Sequence, residues 1–209
     1  MGQGSFGRVY ECERIFDNQK MACKVINAQH FDKKNFELVK AEMKTMRKLS
    51  GVHPVLLKVF DVRWRRRVAR IFTEVCEGGT LQQAYMTGTL GSEEEILQIM
   101  KQLVSCLAFL HKNRIAHMDL KPQNVAFLDN VDRKIKLLDF GCAEKRKGID
   151  KVRGKLIGTA SFMAPEVVME KGFTEAADMW SIGIMMYLFL TDITLVRTKE
   201  EMKRMSNKK

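Results

Sequence analysis

The sequence has little proline and no cysteine or histidine pattern that would hold a metal or a disulfide framework. Of its 209 residues, 3 are proline, 5 are cysteine and 4 are histidine. The cysteine count is odd and no pair has C-x-x-C spacing, which disfavours a zinc site or a disulfide-linked fold and favours a reducing compartment. The histidines form no H-E-x-x-H motif. Small secreted scaffolds and zinc hydrolases of that type are therefore excluded.

The sequence also has no secretory signal pattern and no long apolar run. Its first residues do not pass from charged to apolar, and Phe6 stands where an N-myristoylation motif requires Ser or Thr. The longest strongly apolar stretch, Met179 to Leu190, is shorter than the ~20 residues that a membrane span needs. We predict a buried helix there, no membrane span, and a cytoplasmic or nuclear location.

What the sequence does have is an excess of positive charge. Lys and Arg total 36 and Asp and Glu total 25, so the formal net charge is +11. This balance favours acidic partners such as phosphates, acidic peptides, nucleic acid or anionic membranes, without choosing among them. Hydrophobic residues make up 45%, which is enough for a substantial core in one or two lobes.

Strand patterns come first along the chain and helix patterns second. The predicted strands are Arg8–Glu13, Met21–Ile26, Leu57–Val62, Val68–Val75, Asn124–Leu128 and Ile135–Leu138. Apolar residues at helical spacing predict helices around Phe36–Leu49, after a capping box of Ser92 and Glu95, and over Glu175–Thr191. We therefore predict a β-rich lobe over residues 1–76 and a helical lobe over 77–209, with a ligand cleft between them.

Gly2, Gly4 and Gly7 open the chain in the pattern G-x-G-x-x-G-x-V, which Val9 completes. Glycine allows the backbone to approach a phosphate closely. A dinucleotide fold would need a helix directly after the glycines, whereas a strand pattern follows here and the next strand carries Lys24. A lysine on a strand that reads as buried indicates a phosphate partner.

Four further segments follow in a fixed order: His117-Met118-Asp119-Leu120-Lys121-Pro122-Gln123-Asn124, Asp139-Phe140-Gly141, Ala164-Pro165-Glu166 and Asp178-Met179-Trp180. Their joint order and spacing resemble the catalytic domain of eukaryotic protein kinases, over about residues 2–190. Lys121 and Gly158-Thr159-Ala160 are similar to the Ser/Thr type, and the calcium/calmodulin-dependent and calcium-dependent kinases are the most similar subgroup. The sequence contains no EF-hand pattern.

The resemblance implies an α+β, two-lobed fold with a small β-rich N-lobe that contains one helix, and an incomplete helical C-lobe. In comparison with the family, the start of the first strand and the later C-lobe helices are missing. The arginine that would pair with Glu166 is missing with them. We expect exposed apolar surface as a result, with aggregation or a need for a partner.

The resemblance also implies which residues bind ATP. Gly2, Gly4 and Gly7 would cover its phosphates, and Lys24, paired with Glu42, would hold the α- and β-phosphates. The residues implied around the purine are Val9, Ala22 and Ala126 on its two faces, Thr73 as gatekeeper, and Glu74 to Cys76 as the hinge. Glu42 has an alternative interpretation as a solvated helix residue.

The same resemblance implies the catalytic and metal-binding residues. Asp119 would accept the proton of the substrate hydroxyl, and Lys121 would steady the transferring phosphate. Asn124 and Asp139 would bind Mg²⁺, because hard amide and carboxylate oxygens suit that ion. Asp178 would have a structural role, holding the loop backbone at His117.

Two departures from the family concern regulation and substrate. Met118 replaces an arginine that normally pairs with a phosphorylated loop, and residues 142–158 contain no Ser, Thr or Tyr. We therefore expect that loop phosphorylation does not activate the enzyme. The same stretch holds six basic residues (Lys145, Arg146, Lys147, Lys151, Arg153 and Lys155). These favour acidic or phosphorylated peptides, although a solvated charged loop explains them equally well.

Two other function classes compete with a kinase. One is a truncated, non-catalytic kinase-like binding module, although Lys24, Asp119, Asn124 and Asp139 all favour an enzyme. The other is a basic nucleic-acid-binding domain, for which the cluster Arg63–Arg67 and the net charge speak. That interpretation explains none of the ordered motifs, and a solvated hairpin turn accounts for the cluster better.

Overall fold

The computed structural model describes residues 2–4, 7–140, 143–145, 160–169 and 174–195. Its strands are β1 Gly2–Gly4, β2 Gly7–Arg14, β3 Gln19–Asn27, β4 Val59–Arg65, β5 Val68–Thr73, β6 Ile115–Ala116, β7 Val125–Phe127, β8 Ile135–Leu137 and β9 Glu144–Lys145. Its helices are α1 Lys33–Leu49, α2 Leu81–Met86, α3 Glu93–Lys112, α4 Pro165–Val168 and α5 Ala176–Thr191. Single 3₁₀ turns cover Pro122–Asn124 and Ala160–Phe162. The predicted α+β class is confirmed.

An antiparallel sheet in the order β1-β2-β3-β5-β4 forms the first part of the fold. A turn at Asp17-Asn18 joins β2 to β3, with Asn18 at a φ of 55°. Arg66 and Arg67 join β4 to β5 at φ values of 47° and 61°, so the basic cluster forms a hairpin turn. The strand predicted over Leu57–Val62 begins and ends too early, since β4 covers Val59–Arg65.

Helix α1 packs against the sheet next to β4. Its N-cap, Asp32, accepts a hydrogen bond of 2.7 Å from the backbone N–H of Asn35. The predicted apolar stripe is buried at Val39, Met43, Met46 and Leu49. Phe36 extends this face, and its ring meets that of Trp64 on β4 edge-on at 5.0 Å. The face of α1 that points to the sheet is thereby fixed.

The second part of the fold is built on α3 and α5. The predicted capping box is present at the start of α3, where the Ser92 N–H donates to Glu95 Oε2 at 2.8 Å. The sequence patterns did not predict α2, which has a capping box of its own made by Thr80 and Gln83. Within the described residues, no helix is long and apolar enough to cross a membrane.

One continuous hydrophobic core joins the sheet to the helices. It extends from Ile26 and Ile71 in the sheet to Leu103 on α3 and Met185 on α5. A smaller apolar cluster lies beside it, formed by Met163, Ala164, Val167, Val168 and Ala177, with Met118 and Trp180 packed against it. The lobe boundary predicted between residues 76 and 77 stays a prediction, since the core runs across it.

Candidate active site

A lysine and two carboxylates from separate elements meet beneath the sheet. Alternation along β3 turns Lys24 toward α1, where Glu42 precedes the buried Met43. Lys24 Nζ lies 2.6 Å from Glu42 Oε1 and 3.5 Å from Asp139 Oδ1, just after β8. The lysine side chain is 12% exposed and that of Glu42 is 1% exposed. Glu42 is therefore a buried partner of Lys24, and its alternative interpretation as a solvated helix residue is wrong.

The protonation of Lys24 follows from this arrangement. Burial by itself lowers the pKa of Lys24, but the charges of Glu42 and Asp139 outweigh burial and raise the pKa above its ordinary value. The side chain therefore stays a cation at neutral pH.

A second polar group is formed by the loop between β6 and β7. Asn124 Nδ2 donates to the backbone oxygen of Asp119 at 2.8 Å and to Asp119 Oδ2 at 3.0 Å. Lys121 Nζ lies 2.8 Å from the same carboxylate oxygen. Asp119, Lys121 and Asn124, which the sequence analysis singled out together, are thus in direct contact.

Asp178, on α5, holds the backbone of this loop. Its Oδ2 accepts from the His117 N–H at 2.8 Å and its Oδ1 from the Met118 N–H at 2.9 Å. The role expected of Asp178 is therefore present in the structure. His111 was not predicted to take part, but its Nε2 lies 2.9 Å from Asp178 Oδ2. Met118 has a φ of 68°, a left-handed backbone conformation that these contacts maintain.

His117 connects the loop to the segment that carries Asp139. It is fully buried and its ring centroid lies 5.1 Å from that of Phe140. Burial lowers the pKa of His117 even though neighbouring aspartates oppose the shift, so the ring is neutral and Nδ1 can accept the 3.3 Å hydrogen bond from the Asp119 N–H. The Leu138 N–H donates to the Asn124 oxygen at 2.9 Å, which is a further link. The loop of Asp119 and the segment of Asp139 are therefore linked directly, through the His117–Phe140 contact and the Leu138–Asn124 hydrogen bond.

The glycine motif lies on the hairpin of β1 and β2. Gly2 pairs with Val9 and Gly4 with Gly7, while Val9 in turn pairs with Lys24 on β3. A Cβ atom on Gly7 would collide with the backbone of Val25. Glycine is required at this position for the close approach of β2 to β3. Residues 5 and 6 of the motif lie outside the described residues.

Small and half-buried side chains form the wall beside the lysine. Ala22 pairs with Thr73 across β3 and β5, and Ala126 is on β7; all three are buried. Cys76 follows β5, and burial raises the pKa of its thiol to about 12. Glu74, also after β5, forms an ion pair of 2.7 Å with Lys136 that no sequence pattern indicated.

The residues present fit a nucleotide with a divalent cation. Because Asn124 directs Nδ2 to Asp119, its other amide atom, Oδ1, is the one turned away from that carboxylate. Asp139 supplies a carboxylate on the segment that is hydrogen-bonded to Asn124 through Leu138. Among the described residues, no group of three or more His, Cys, Asp or Glu side chains is arranged so that it could hold a metal ion. Such a site suits Mg²⁺, which is commonly held by one or two protein groups together with substrate phosphates.

Comparison with known proteins identifies the class that this fold and site define. The protein kinase domain family matches residues 1–209, and the chain belongs to that family. The chain is 37% identical to calcium-dependent protein kinase 6 of Plasmodium berghei over 91% of its length, and 35% identical to serine/threonine-protein kinase TIO of Arabidopsis thaliana over 90%. It is 33% identical over 90% of its length to serine/threonine-protein kinase ULK3 of Xenopus laevis.

These relatives place the chain among the serine/threonine protein kinases, as the sequence motifs predicted. The chain spans 12%, 14% and 40% of the lengths of these relatives, respectively. Relatives of this kind do not favour the non-catalytic alternative. Five of the six basic residues predicted to favour acidic peptides, those between 146 and 155, lie outside the described residues.

Proposed function

We propose that this chain is the catalytic part of a serine/threonine protein kinase, which transfers the γ-phosphoryl group of ATP to a protein hydroxyl. The observation that supports this most is that two groups of charged and polar side chains are held on directly linked segments of the fold. One group is Lys24 with Glu42 and Asp139, and the other is Asp119 with Lys121 and Asn124. Positioned cations and carboxylates of this kind are what phosphoryl transfer requires.

ATP would lie between the glycine hairpin and Lys24. Gly2, Gly4 and Gly7 would cover its phosphates, and the ammonium group of Lys24 would bind the α- and β-phosphates. The pairing of Val9 with Lys24 supports this, because it brings the hairpin next to the lysine. The purine would contact the wall of small and half-buried residues, namely Val9, Ala22, Thr73, Glu74, Cys76 and Ala126.

Asn124 and Asp139 would hold Mg²⁺, through the amide oxygen of the first and the carboxylate of the second. When bound, the ion neutralises charge on the phosphates. The 2.9 Å bond between the Leu138 N–H and the Asn124 oxygen supports this pairing, because it ties the backbone of one ligand to the residue before the other.

Asp119 would act as the base in the transfer. The oxygen of the substrate hydroxyl attacks the γ-phosphorus, its proton passes to the Asp119 carboxylate, and the bond from the γ-phosphorus to the bridging oxygen breaks to release ADP. Lys121, 2.8 Å from Asp119 Oδ2, would place a positive charge beside the group in transfer. Glu42 would keep Lys24 in position.

The acceptor would be a Ser or Thr side chain of a protein, with acidic or phosphorylated sequences preferred. The net charge of +11 supports that preference. We place the activity in the cytoplasm or the nucleus. Independence from loop phosphorylation stays part of the proposal, although residues 146–159 lie outside the described residues.

The test is transfer of labelled phosphate from ATP, with Mg²⁺, to one acidic and one basic Ser/Thr peptide. Asp139→Ala serves as the blank, because it removes a proposed metal ligand. Asp132→Ala is the matched control, since this aspartate sits on the neighbouring loop and pairs only across the surface with Lys134 at 2.5 Å. We expect transfer by the unchanged chain and by the control, a fall of at least about a hundredfold in the blank, and a preference for the acidic peptide.

Labelling that is equal in the unchanged chain and the blank would overturn the proposal. Binding of a peptide or nucleic acid without transfer, by a folded sample, would instead favour the corresponding binding function. Faster labelling of the basic peptide would contradict only the predicted substrate preference.

A further inference from the structure

Residues of β8, and the residue that follows it, contact three separate segments of the fold. Lys136 Nζ forms an ion pair of 2.7 Å with Glu74 Oε1. The Leu137 N–H donates to the Val55 oxygen at 2.8 Å, and the Leu138 N–H donates to the Asn124 oxygen at 2.9 Å. Successive residues thus contact the segment after β5, the segment after α1 and the loop of Asp119. Asp139 follows directly, so its position depends on all three contacts.

The contact of Lys136 is made with a residue that is itself tightly held. Glu74 Oε1 also accepts from the Lys58 N–H at 2.7 Å, and the Glu74 N–H donates to the Lys58 oxygen at 3.0 Å. Glu74 therefore joins β5 to the segment before β4, and Lys136 adds a third connection to a different part of the chain. A change at Lys136 acts on the backbone at residue 74 through this carboxylate.

The ion pair is largely shielded from water. The Lys136 side chain is 12% exposed and that of Glu74 is 18% exposed. Partly buried charge pairs are screened less than surface pairs, and removal of one partner leaves the other charge without its countercharge. The contact therefore ties the segment after β5 to β8.

The ion pair of Lys136 and Glu74 lies next to the proposed purine site. Lys136 pairs across β7 and β8 with Ala126, which is buried on the proposed floor of the purine site. Glu74 lies in the proposed hinge on the opposite side of that site. The ion pair of Lys136 and Glu74 thus links the proposed floor of the purine site to its proposed hinge.

We propose that Lys136 is a positioning residue, which fixes the hinge at Glu74 against the β7–β8 hairpin and so sets the affinity for the adenine nucleotide. This inference rests on the proposed function, because it needs a nucleotide in that pocket. The alternative is a structural role only, in which the pair neutralises two shielded charges and contributes to stability. The two alternatives differ in whether nucleotide affinity changes apart from stability.

The experiment measures the dissociation constant of a fluorescent ADP analogue carrying a methylanthraniloyl group, with the full 209-residue chain. Lys136→Met removes the charge and keeps the length of the side chain, while Lys136→Arg restores the charge. Lys134→Met is the matched control, because this lysine is on the same hairpin but 64% exposed, and it forms a surface ion pair with Asp132. KM for ATP and kcat are measured for the same variants.

We expect Lys136→Met to weaken binding of the analogue about tenfold and to raise KM for ATP in proportion. We expect kcat at saturating ATP to change less than about twofold, since the groups proposed for transfer keep their contacts. Lys136→Arg should recover most of the affinity, and Lys134→Met should match the unchanged chain. Should Lys136→Met fail to fold, Lys136→Gln provides the same comparison, because it also removes the charge that pairs with Glu74 while keeping a polar side chain.

A double variant, Lys136→Met with Glu74→Gln, distinguishes the effect of the contact between the two residues from the separate effects of each residue. If the two residues act through their contact, the double variant binds no more weakly than the weaker single variant. Normal affinity in Lys136→Met with a lower melting temperature would overturn the positioning role and leave a structural one. Absence of analogue binding by the unchanged, folded chain would overturn the proposed function itself, and this inference with it.

Discussion

At the scale of single residues, the strongest dependence is that of Lys24 on Glu42. The two atoms in contact are 2.6 Å apart, and the carboxylate side chain is almost completely buried. A buried charge that loses its nearest partner is far more destabilising than an exposed one, since water cannot take the partner's place. The contact therefore matters for the stability of the fold as well as for the proposed binding of phosphate.

We predict that Glu42→Gln lowers the free energy of unfolding by about 3 kcal/mol or more, because it leaves the Lys24 cation without its nearest countercharge. Urea denaturation at neutral pH measures this change. Glu37→Gln is the matched control on the same helix, where Glu37 pairs with Lys40 at 3.2 Å on the exposed face. A similar small effect of both substitutions would show that the buried pair is not special.

Motif residues were predictable at this scale and their distant partners were not. Lys24, Asp119 and Asn124 stand at fixed spacings from glycine and proline residues, so the sequence alone singled them out. Lys136 alternates with Ile135 and Leu137 and reads as an ordinary solvent-facing strand residue. Its contact with Glu74 depends on how two segments about 60 residues apart cross in three dimensions.

At the scale of elements, α5 organises the loop that carries Asp119. Asp178 lies in the first turn of the helix and is 1% exposed. Both of its carboxylate oxygens accept backbone N–H groups from the loop, at His117 and Met118. A buried carboxylate with this many hydrogen bonds fixes the backbone beside it, including the left-handed conformation of Met118.

We predict that Asp178→Asn destabilises the fold by about 2 kcal/mol or more, because an amide offers one accepting oxygen where two backbone N–H groups require acceptors. The rate of phosphate transfer should fall with it, since the backbone next to Asp119 loses a constraint. Thermal and urea unfolding measure the first effect and a transfer assay the second.

Asp192→Asn, at the exposed C-terminal end of the same helix, is the control for this substitution. Its side chain contacts the hydroxyl of Tyr85, a bond that an amide oxygen can still accept. Equal losses in the two variants would mean that α5 is merely sensitive to amides, with no particular role for the loop contact.

Long elements with clear end signals were predicted well and short ones were not. The capping box of Ser92 and Glu95 located the start of α3 correctly. Helix α2 was missed because its six residues are too few to display a helical period. The start of β4 was misplaced because Leu56 and Leu57 are apolar and buried without being part of that strand.

At the scale of the whole molecule, one face of α5 stays apolar and exposed among the described residues. Met179, Tyr187 and Leu190 are 44%, 37% and 40% exposed, and Gly183 lies between them on the same face. An apolar helix that is buried on one side and open on the other favours association. Met179, Tyr187 and Leu190 thus form an exposed apolar face on this helix.

We predict that the chain self-associates through this face, and that Tyr187→Glu shifts it toward the monomer by placing a charge there. Sedimentation velocity over a range of protein concentrations measures the shift. Val131→Glu is the control, since Val131 is a single exposed apolar residue in the loop between β7 and β8. A sample that is monomeric at every concentration, with one sharp unfolding transition, would contradict the prediction.

The family and the α+β class were predictable at this scale because they depend on the order of the motifs along the chain. An error in the bounds of one predicted strand or helix does not change that order. The division into lobes at residues 76 and 77 was less accessible to sequence patterns. Gly78 and Gly79 mark a break in the pattern, yet the hydrophobic core continues from Ile71 to Leu81 across it. Packing between residues on the two sides of such a break in the sequence pattern produces no local periodicity that could be detected.

The contacts of β8 also restrict which sequence changes this region can tolerate. Side chains on a strand alternate between its two faces, so inserting or deleting one residue within β8 would reverse the faces of the strand residues that follow the change. It would also shift by one position the backbone N–H groups that now donate to Val55 and Asn124. We infer that the segment accepts replacement of individual side chains far more readily than any change in its length.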